Sequence, residues 1–180
     1  MDSLANHLGM SKRTIYEIFS DKDELLIGVF KWMAQRQRDL LNKILAESDT
    51  AVDAIFKLLK SNFDHFQNMS PAFQADMKRF HQDVLMKKAG KCEFPDNKNN
   101  IMIIERAIKE KFFRKDINPE IVNRCFDIMG KSMMNNEIYP FEQFSRIDVL
   151  ANTFLNYMKG ISTPQGLELI NKLEKEYKFR

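Results

Sequence analysis

The chain has 180 residues, of which 44% are hydrophobic and 29% charged, a composition typical of a folded protein with a sizeable core and not of a disordered one. Its net charge of +3 permits a nucleic-acid partner without requiring one. No secretory signal and no apolar run near the ~20 residues of a membrane span are present, so we expect a cytoplasmic protein with no membrane partner.

Glycine and proline are scarce, at six and five residues, which favours long helices over many short strands. The two cysteines, Cys92 and Cys125, lie far apart and match no metal or redox spacing. We therefore expect both to be free thiols in a reducing compartment.

The apolar periodicity predicts an all-α chain of about nine helices. A short helix over Asp2–Leu8 is followed by a turn at Gly9 and by a second short helix that Ser11 caps and that runs to Phe19. Asp21 and Glu24 resemble a capping box at the start of a long third helix. The helices predicted from there on cover 22–47, 50–69, 70–88, 100–114, 118–136, 145–160 and 164–178, and 89–98 is the clearest loop.

The second short helix separates its polar and apolar residues. At about 100° per residue, one arc of about 140° holds Lys12, Arg13, Tyr16 and Glu17, and the opposite side holds Ile15, Ile18 and Phe19. A helix this short needs support, so its apolar side must pack on the helix before the turn. That is the arrangement of a helix-turn-helix, whose second helix enters the major groove. The alternative is a plain surface helix with two basic residues.

The segment "SLANHLGMSKRTIYEIFSDKDELL" resembles the DNA-binding signature of the TetR family of transcriptional regulators. The matching residues are Leu4-Ala5, Gly9, Ser11, Thr14-Ile15-Tyr16, Phe19 and Lys22-Asp23-Glu24-Leu25. Near the end of the chain, "GISTPQGLELI" is similar to the family's usual passage between its last two helices.

The resemblance implies a DNA-contact set on and around the second helix, made of Ser11, Lys12, Arg13, Thr14, Tyr16 and Lys22. Lys12 and Arg13 would approach base edges, while Thr14, Tyr16 and Lys22 would contact phosphates. Two positions depart from the family pattern, because Glu17 and Ile18 stand where aromatic or histidine side chains are frequent. Both departures weaken the expected phosphate anchoring.

The resemblance also implies a domain division. Residues 1–30 would form the helix-turn-helix domain, and 31–180 a helical ligand-binding and dimerisation domain. Family members carry a further helix of about 15 residues before the Leu4-Ala5 helix, and no counterpart of it is present here. We therefore expect Leu4, Leu8, Ile15 and Phe19 to lose a packing partner.

No catalytic or metal-binding constellation is evident. His7, His65 and His81 lie on different predicted helices, and none has a partner at ligand or triad spacing. Cys125 shares an apolar face with its helical neighbours and is expected in the core. The sequence thus predicts neither an enzyme nor a protein with a metal or other cofactor.

The middle helices are rich in phenylalanine and methionine, side chains that suit adaptable apolar pockets. Together with the resemblance, this predicts an effector pocket for a small apolar or amphipathic molecule, lined by Phe63, Phe66, Met77, Phe80, Phe126, Met129 and Met133. Simple core packing is the alternative for most of them.

The last two predicted helices carry apolar stripes at i, i+3 and i+4 spacing. In the family this helix pair meets its two-fold mate, which implies a homodimer interface at Leu150, Phe154, Met158, Leu167 and Ile170. The stripes alone equally suit an intramolecular core.

Two functions follow from these features. The first is a ligand-responsive DNA-binding regulator, a repressor released from a palindromic operator on double-stranded DNA by a small molecule. The second is a dimeric small-molecule-binding protein with a non-functional DNA-binding head.

Overall fold

The computed structural model describes residues 1–67, 97–133 and 135–179, with the side chains of residues 66, 67, 97 and 98 excepted. This part of the chain is helical, which confirms the all-α prediction, and its one β pairing is an isolated bridge between Phe113 and Ser162. The helices are α1 (Asp2–Leu8), α2 (Lys12–Ile18), α3 (Lys22–Glu47), α4 (Ala51–Gln67), α5 (Asn97–Lys109), α6 (Pro119–Met133), α7 (Arg146–Leu150), α8 (Asn156–Gly160) and α9 (Pro164–Glu176). A π-helical turn, Ala151–Leu155, joins α7 to α8.

The predicted caps start the helices as expected. In each, a side-chain oxygen accepts the backbone N–H three residues ahead at 2.7–3.2 Å, as seen for Ser11, Asp21, Asn118, Ser145 and Thr163. Each bond satisfies one of the N–H groups that the first turn of a helix leaves without a partner. Short polar side chains in the sequence therefore locate these starts.

The helix ends were predicted less well. Helix α5 begins at Asn97, before the expected Asn100, and ends at Lys109, before the expected Arg114. It stops because Lys111 adopts a left-handed φ of 66°, after which the N–H groups of Phe112 and Phe113 both donate to the carbonyl of Ala107. The helix predicted over 70–88 and most of the loop predicted over 89–98 lie outside the described residues.

The described chain forms two compact units. Residues 1–40 belong to the first, and the described residues from Leu41 onward belong to the second. The division falls within α3, so the chain passes from one unit to the other along a helix. In the described ranges, no helix is both long and apolar enough to cross a membrane.

The second unit is built around a continuous apolar core. Helix α4 packs against α5 and α9, and α6 packs against α5, α7 and the π-helical turn. The largest fully buried side chains are Phe56, Phe113, Phe179, Ile104, Leu150, Leu155, Met158 and Ile170. Burial of such side chains contributes about 1.5–3 kcal/mol each, so this core supplies most of the folding free energy of the unit.

An ion pair closes the junction between α3 and α4. Arg106 donates from Nε to the Glu110 carboxylate at 2.6 Å and from its terminal nitrogen to the carbonyls of Ser48 and Asp49 at 3.2 Å. The other Glu110 oxygen accepts the N–H of Ala51, the first residue of α4, at 2.7 Å. Arg106 on α5 and Glu110, directly after its end, thereby satisfy backbone groups on both sides of the connection.

The start of α9 requires glycine at one position. Thr163 caps the helix and donates its own N–H to the carbonyl of Phe112 at 2.9 Å, which brings the two backbones together. A Cβ at Gly166 would lie 2.0 Å from the carbonyl oxygen of Phe112, far inside van der Waals contact. Only glycine lets the backbones approach this closely.

We predict that Gly166→Ala lowers the free energy of unfolding by about 3 kcal/mol or more, because backbone must move to accept the methyl group. Gly130→Ala is the matched control, since a Cβ there meets nothing within 4 Å inside a helix. That change should stabilise the protein by about 0.5–1 kcal/mol. Equal effects of the two variants in urea unfolding would contradict the close approach of α9 to Phe112.

Candidate nucleic-acid interface

The first unit contains the short helices α1 and α2, which pack against each other. Gly9 ends α1 with φ 62°, and the N–H of Met10 donates back to the carbonyl of Ala5 at 3.0 Å. This left-handed turn, which glycine adopts without steric cost, reverses the chain within a few residues. Ala5 and Ile15 are buried at the packed faces, so α1 supports α2 as a helix-turn-helix requires.

The outward face of α2 carries most of the predicted contact set. Lys12, Arg13 and Tyr16 are exposed, with 41% of Tyr16 accessible. Thr14 is half-buried, and its hydroxyl forms a hydrogen bond with that of Ser11 at 2.8 Å. Lys22 is exposed at the first position of α3, where the helix N-terminus also favours anions. The six side chains therefore lie on α2, at its cap and at the start of the next helix.

Both cations of α2 contact a carboxylate. Lys12 Nζ lies 3.1 Å from Asp2, and Arg13 Nε lies 3.0 Å from Glu17. The bond from Lys12 lowers the pKa of the Asp2 carboxyl below its ordinary value. All four side chains are exposed, so the pairs contribute little stability and separate readily in water.

The sequence predicts one of these two carboxylate contacts but not the other. Glu17 follows Arg13 by four residues, the spacing at which helical side chains meet. The contact of Asp2 with Lys12 crosses the turn between α1 and α2, so periodicity could not predict it. Any DNA contact by Lys12 or Arg13 has to replace or share one of these ion pairs.

The apolar side of α2 differs in part from its prediction. Ile15 is buried, so the expectation that it loses its packing partner is wrong, because α1 covers it. Ile18 is 61% exposed although the helical wheel placed it on the packed side; it is the last residue of α2, beyond which Phe19 has extended backbone. Leu8, which ends α1, is exposed as expected.

An open cleft lies beside α1 in the first unit. Its volume is about 440 Å³, and its walls are Met1, Ser3, Leu4, His7, Lys22, Leu25 and Leu26. Leu4 is half-buried at this cleft, in keeping with the expectation that one of its sides has no packing partner. The cleft is mostly apolar, with the charged side chain of Lys22 at its wall.

The residues predicted to line an effector pocket are used in core packing where they are described. Phe126 stacks on Phe154 with ring centroids 4.4 Å apart and meets the edge of Tyr157 at 5.8 Å. Phe63 and Met133 are buried, and Met129 packs against the same core. Met77, Phe80 and the side chain of Phe66 lie outside the described residues. The described members of the set thus form part of the core.

Four of the five residues predicted for the dimer interface belong to the core of the single chain. Leu150, Phe154, Met158 and Ile170 are buried within the single chain, so the core of the second unit already occupies these side chains. Only Leu167 of the predicted five is exposed. The alternative that the apolar stripes form an intramolecular core therefore holds for the other four.

Cys125 is half-buried on α6 and contacts the Tyr157 hydroxyl. Burial, together with that hydrogen bond, raises the pKa of Tyr157 to about 12. Across the described ranges, no cluster of three His, Cys, Asp or Glu side chains is arranged to hold a metal ion. Cys92 lies outside the described residues.

Comparison with known proteins gives a clear answer at the level of the fold. No protein-family model matches the sequence, and none of the curated proteins matches it either. A solved gamma-butyrolactone receptor, an ArpA-like protein, superposes with a TM-score of 0.68 at 15% identity, over 98% of this chain and 86% of the receptor. The TetR family protein CprB from S. coelicolor A3(2) superposes with a TM-score of 0.66 at 14% identity over the same shares. The described part of the chain therefore has a TetR-like fold.

We predict that Ser11→Ala weakens α2, because the Thr14 N–H loses its acceptor at the start of a seven-residue helix. The expected cost is about 1 kcal/mol, measured as faster amide hydrogen exchange in α2. Ser3→Ala, an exposed serine inside α1, is the matched control and should change little. Unchanged exchange in α2 of the Ser11 variant would mean that the cap does not hold the helix.

Proposed function

We propose that this protein is a cytoplasmic, ligand-responsive transcriptional regulator that binds double-stranded DNA through the outward face of α2. The observation that carries the proposal is the exposed set of Lys12, Arg13 and Tyr16 on a short helix that a glycine turn places against α1. The TetR-like fold of the chain supports it, since the two solved proteins that superpose on the chain are described as a gamma-butyrolactone receptor and a TetR family protein.

The chemistry of this face suits the major groove. Arg13 can donate two hydrogen bonds to the acceptors of a guanine, and Lys12 can serve a guanine or a phosphate. Tyr16 and Thr14 offer neutral hydroxyls to phosphates, and Lys22 adds a charge at a helix N-terminus. On binding, the two cations would exchange exposed carboxylate partners for DNA, at small cost because those ion pairs are solvated.

One helix of this length contacts few base pairs, so recognition of a specific DNA sequence requires two such helices. We propose that a two-fold pair of chains binds the two halves of a palindromic site. Release by a small apolar or amphipathic effector would then act by favouring one of two conformations of the pair, with a coupling of about 1–3 kcal/mol. The description of two structural neighbours as gamma-butyrolactone receptors supports an effector of this class.

A small-molecule-binding protein with a non-functional DNA-binding head is the second candidate. It is favoured by the apolar surface that the first unit leaves open, namely the cleft beside α1 and the exposed side chains of Leu8 and Ile18. The two candidates differ in one outcome, since only the first predicts selection of a DNA sequence.

The test is selection from a pool of random-sequence DNA duplexes, followed by affinity measurements across a range of salt concentrations. Wild-type protein should enrich an inverted repeat. Arg13→Gln should cost about 1–3 kcal/mol per half-site and relax preference at one base position. Lys22→Gln should weaken binding to all sequences about equally and reduce the salt slope by about one per half-site.

Lys172→Gln is the matched control, because Lys172 is exposed on α9, far along the chain from α2. This variant should keep both the selected sequence and the salt slope. Absence of any enriched sequence with well-folded wild-type protein would favour the second candidate. If a sequence is enriched but neither Arg13→Gln nor Lys22→Gln changes the affinity for it, the DNA contacts lie in another part of the chain.

A further inference from the structure

The segment that carries the candidate DNA contacts is acidic, although the whole chain has a net charge of +3. Residues 1–30 hold fewer cationic side chains than carboxylates, namely Lys12, Arg13 and Lys22 against Asp2, Glu17, Asp21, Asp23 and Glu24. A surface that binds DNA through phosphates alone needs an excess of cations. The charge of this segment therefore does not suit binding that is independent of the DNA sequence.

Two of the carboxylates are held beside the cations of α2. Asp2 lies in the first turn of α1, with its carboxylate 3.1 Å from Lys12 Nζ, and the carboxylate of Glu17 lies 3.0 Å from Arg13 Nε. The ion pairs separate readily, because between 50% and 89% of each of the four side chains is exposed. The carboxylates stay close by, however, since α1 packs on α2 and Glu17 belongs to α2 itself. Any phosphate that reaches one of these cations therefore also approaches a negative charge.

The third cation, Lys22, is the first residue of α3 and has carboxylates on both sides. Asp21 precedes it, and Asp23 and Glu24 follow. Asp21 accepts the N–H of Glu24 at 2.7 Å, and Glu24 accepts the N–H of Ser20 at 2.6 Å, so both carboxylates are held at the helix start. Hydrogen bonds from Ser20 lower the pKa of the Glu24 carboxyl, which is therefore ionised at neutral pH. The attraction of this helix N-terminus for anions is thus partly offset by its own carboxylates.

Phosphates and base edges respond differently to these carboxylates. A phosphate carries a full negative charge, so a carboxylate beside the contacting cation opposes its approach. The major-groove edges of base pairs include donors, the amines of cytosine and adenine, from which a carboxylate can accept a hydrogen bond. One helical turn separates Arg13 from Glu17 and spans about 5.4 Å, against about 3.4 Å for a base pair. The two side chains therefore suit a site where a guanine and one of these amines lie one or two base pairs apart.

We propose that Asp2 and Glu17 are specificity-determining residues of the DNA contact, which oppose binding of α2 to phosphates alone and leave contact with a matching base sequence favourable. The inference rests on the proposed function, since it takes α2 as the element that approaches DNA. A protein discriminates between two sites by the difference of its affinities, and repulsion at the wrong site enlarges that difference. Because most DNA consists of wrong sites, weaker binding to them leaves more of the protein at its target.

The experiment compares the affinities of the full chain for a duplex of mixed sequence and for a duplex enriched by selection, across a range of salt concentrations. Asp2→Asn and Glu17→Gln keep an oxygen that can accept from the neighbouring cation and remove the charge. Each should raise the affinity for the mixed duplex about 3- to 10-fold per chain and steepen its salt dependence, because one cation is no longer offset. The affinity for the enriched duplex should rise less, so the ratio of the two affinities should fall about threefold. Glu17→Gln should also change the base preference at the position of the amine.

Asp39→Asn is the matched control, because Asp39 is exposed on α3 and the variant removes the same charge. Along the helix axis, Asp39 lies about 25 Å from Lys22, well beyond the ~8 Å over which exposed charges act at physiological salt. This variant should bind both duplexes like wild type. Circular dichroism should show wild-type helical content in all three variants, since each replaces an exposed carboxylate by the amide of the same shape.

Variants of Asp2 and Glu17 that bind the mixed duplex no more tightly than wild type would overturn the inference. An equal gain from Asp39→Asn would overturn it too, since the effect would then come from net charge, as would an equal gain on both duplexes, which leaves selectivity unchanged. In each of these cases wild-type protein that enriches a sequence retains the proposed function and loses only the role of the two carboxylates. Wild-type protein that enriches no sequence loses the function itself, and this inference with it.

Discussion

The outward face of α2 depends on support from outside that helix, because a helix of seven residues is not stable alone in water. Three local features provide the support: the Ser11 cap at one end, the left-handed turn at Gly9, and burial of Ile15 where α1 packs against α2. Lys12, Arg13 and Tyr16 face solvent only because Ile15 faces inward. The geometry of the candidate DNA contact is therefore a consequence of packing on the other side of the helix.

The second unit is stabilised by a different kind of constraint. Its core is apolar and continuous, but two close polar contacts determine how the segments join. Arg106 and Glu110 satisfy the backbone on both sides of the connection from α3 to α4, and the carbonyl of Phe112 accepts the N–H of Thr163 at the start of α9. These contacts fix the positions of the joined segments, while burial of apolar area supplies the free energy of folding.

The elements that the sequence predicts well are those specified by local chemistry. Side chains that cap helices, such as Ser11 and Thr163, mark the starts, because their hydrogen bonds involve residues only three positions away. The ends of helices were harder to predict from the sequence. Helix α5, for example, ends where Lys111 adopts a left-handed conformation, which lysine does not favour by itself. No sequence signal marks the π-helical turn over Ala151–Leu155.

Periodicity finds an apolar stripe but does not say what covers it. Phe154 and Ile170 have the spacing expected of an interface, yet the core of the same chain buries them, whereas Ile121 and Ile128 were not singled out and face solvent. The same limit applies to Asp2, whose contact with Lys12 depends on the turn between two helices.

Contact between α2 and DNA is tested most directly by amide hydrogen exchange with and without a selected DNA duplex. We predict slowed exchange over residues 11–22, and unchanged exchange there with slowing confined to other segments would contradict this contact.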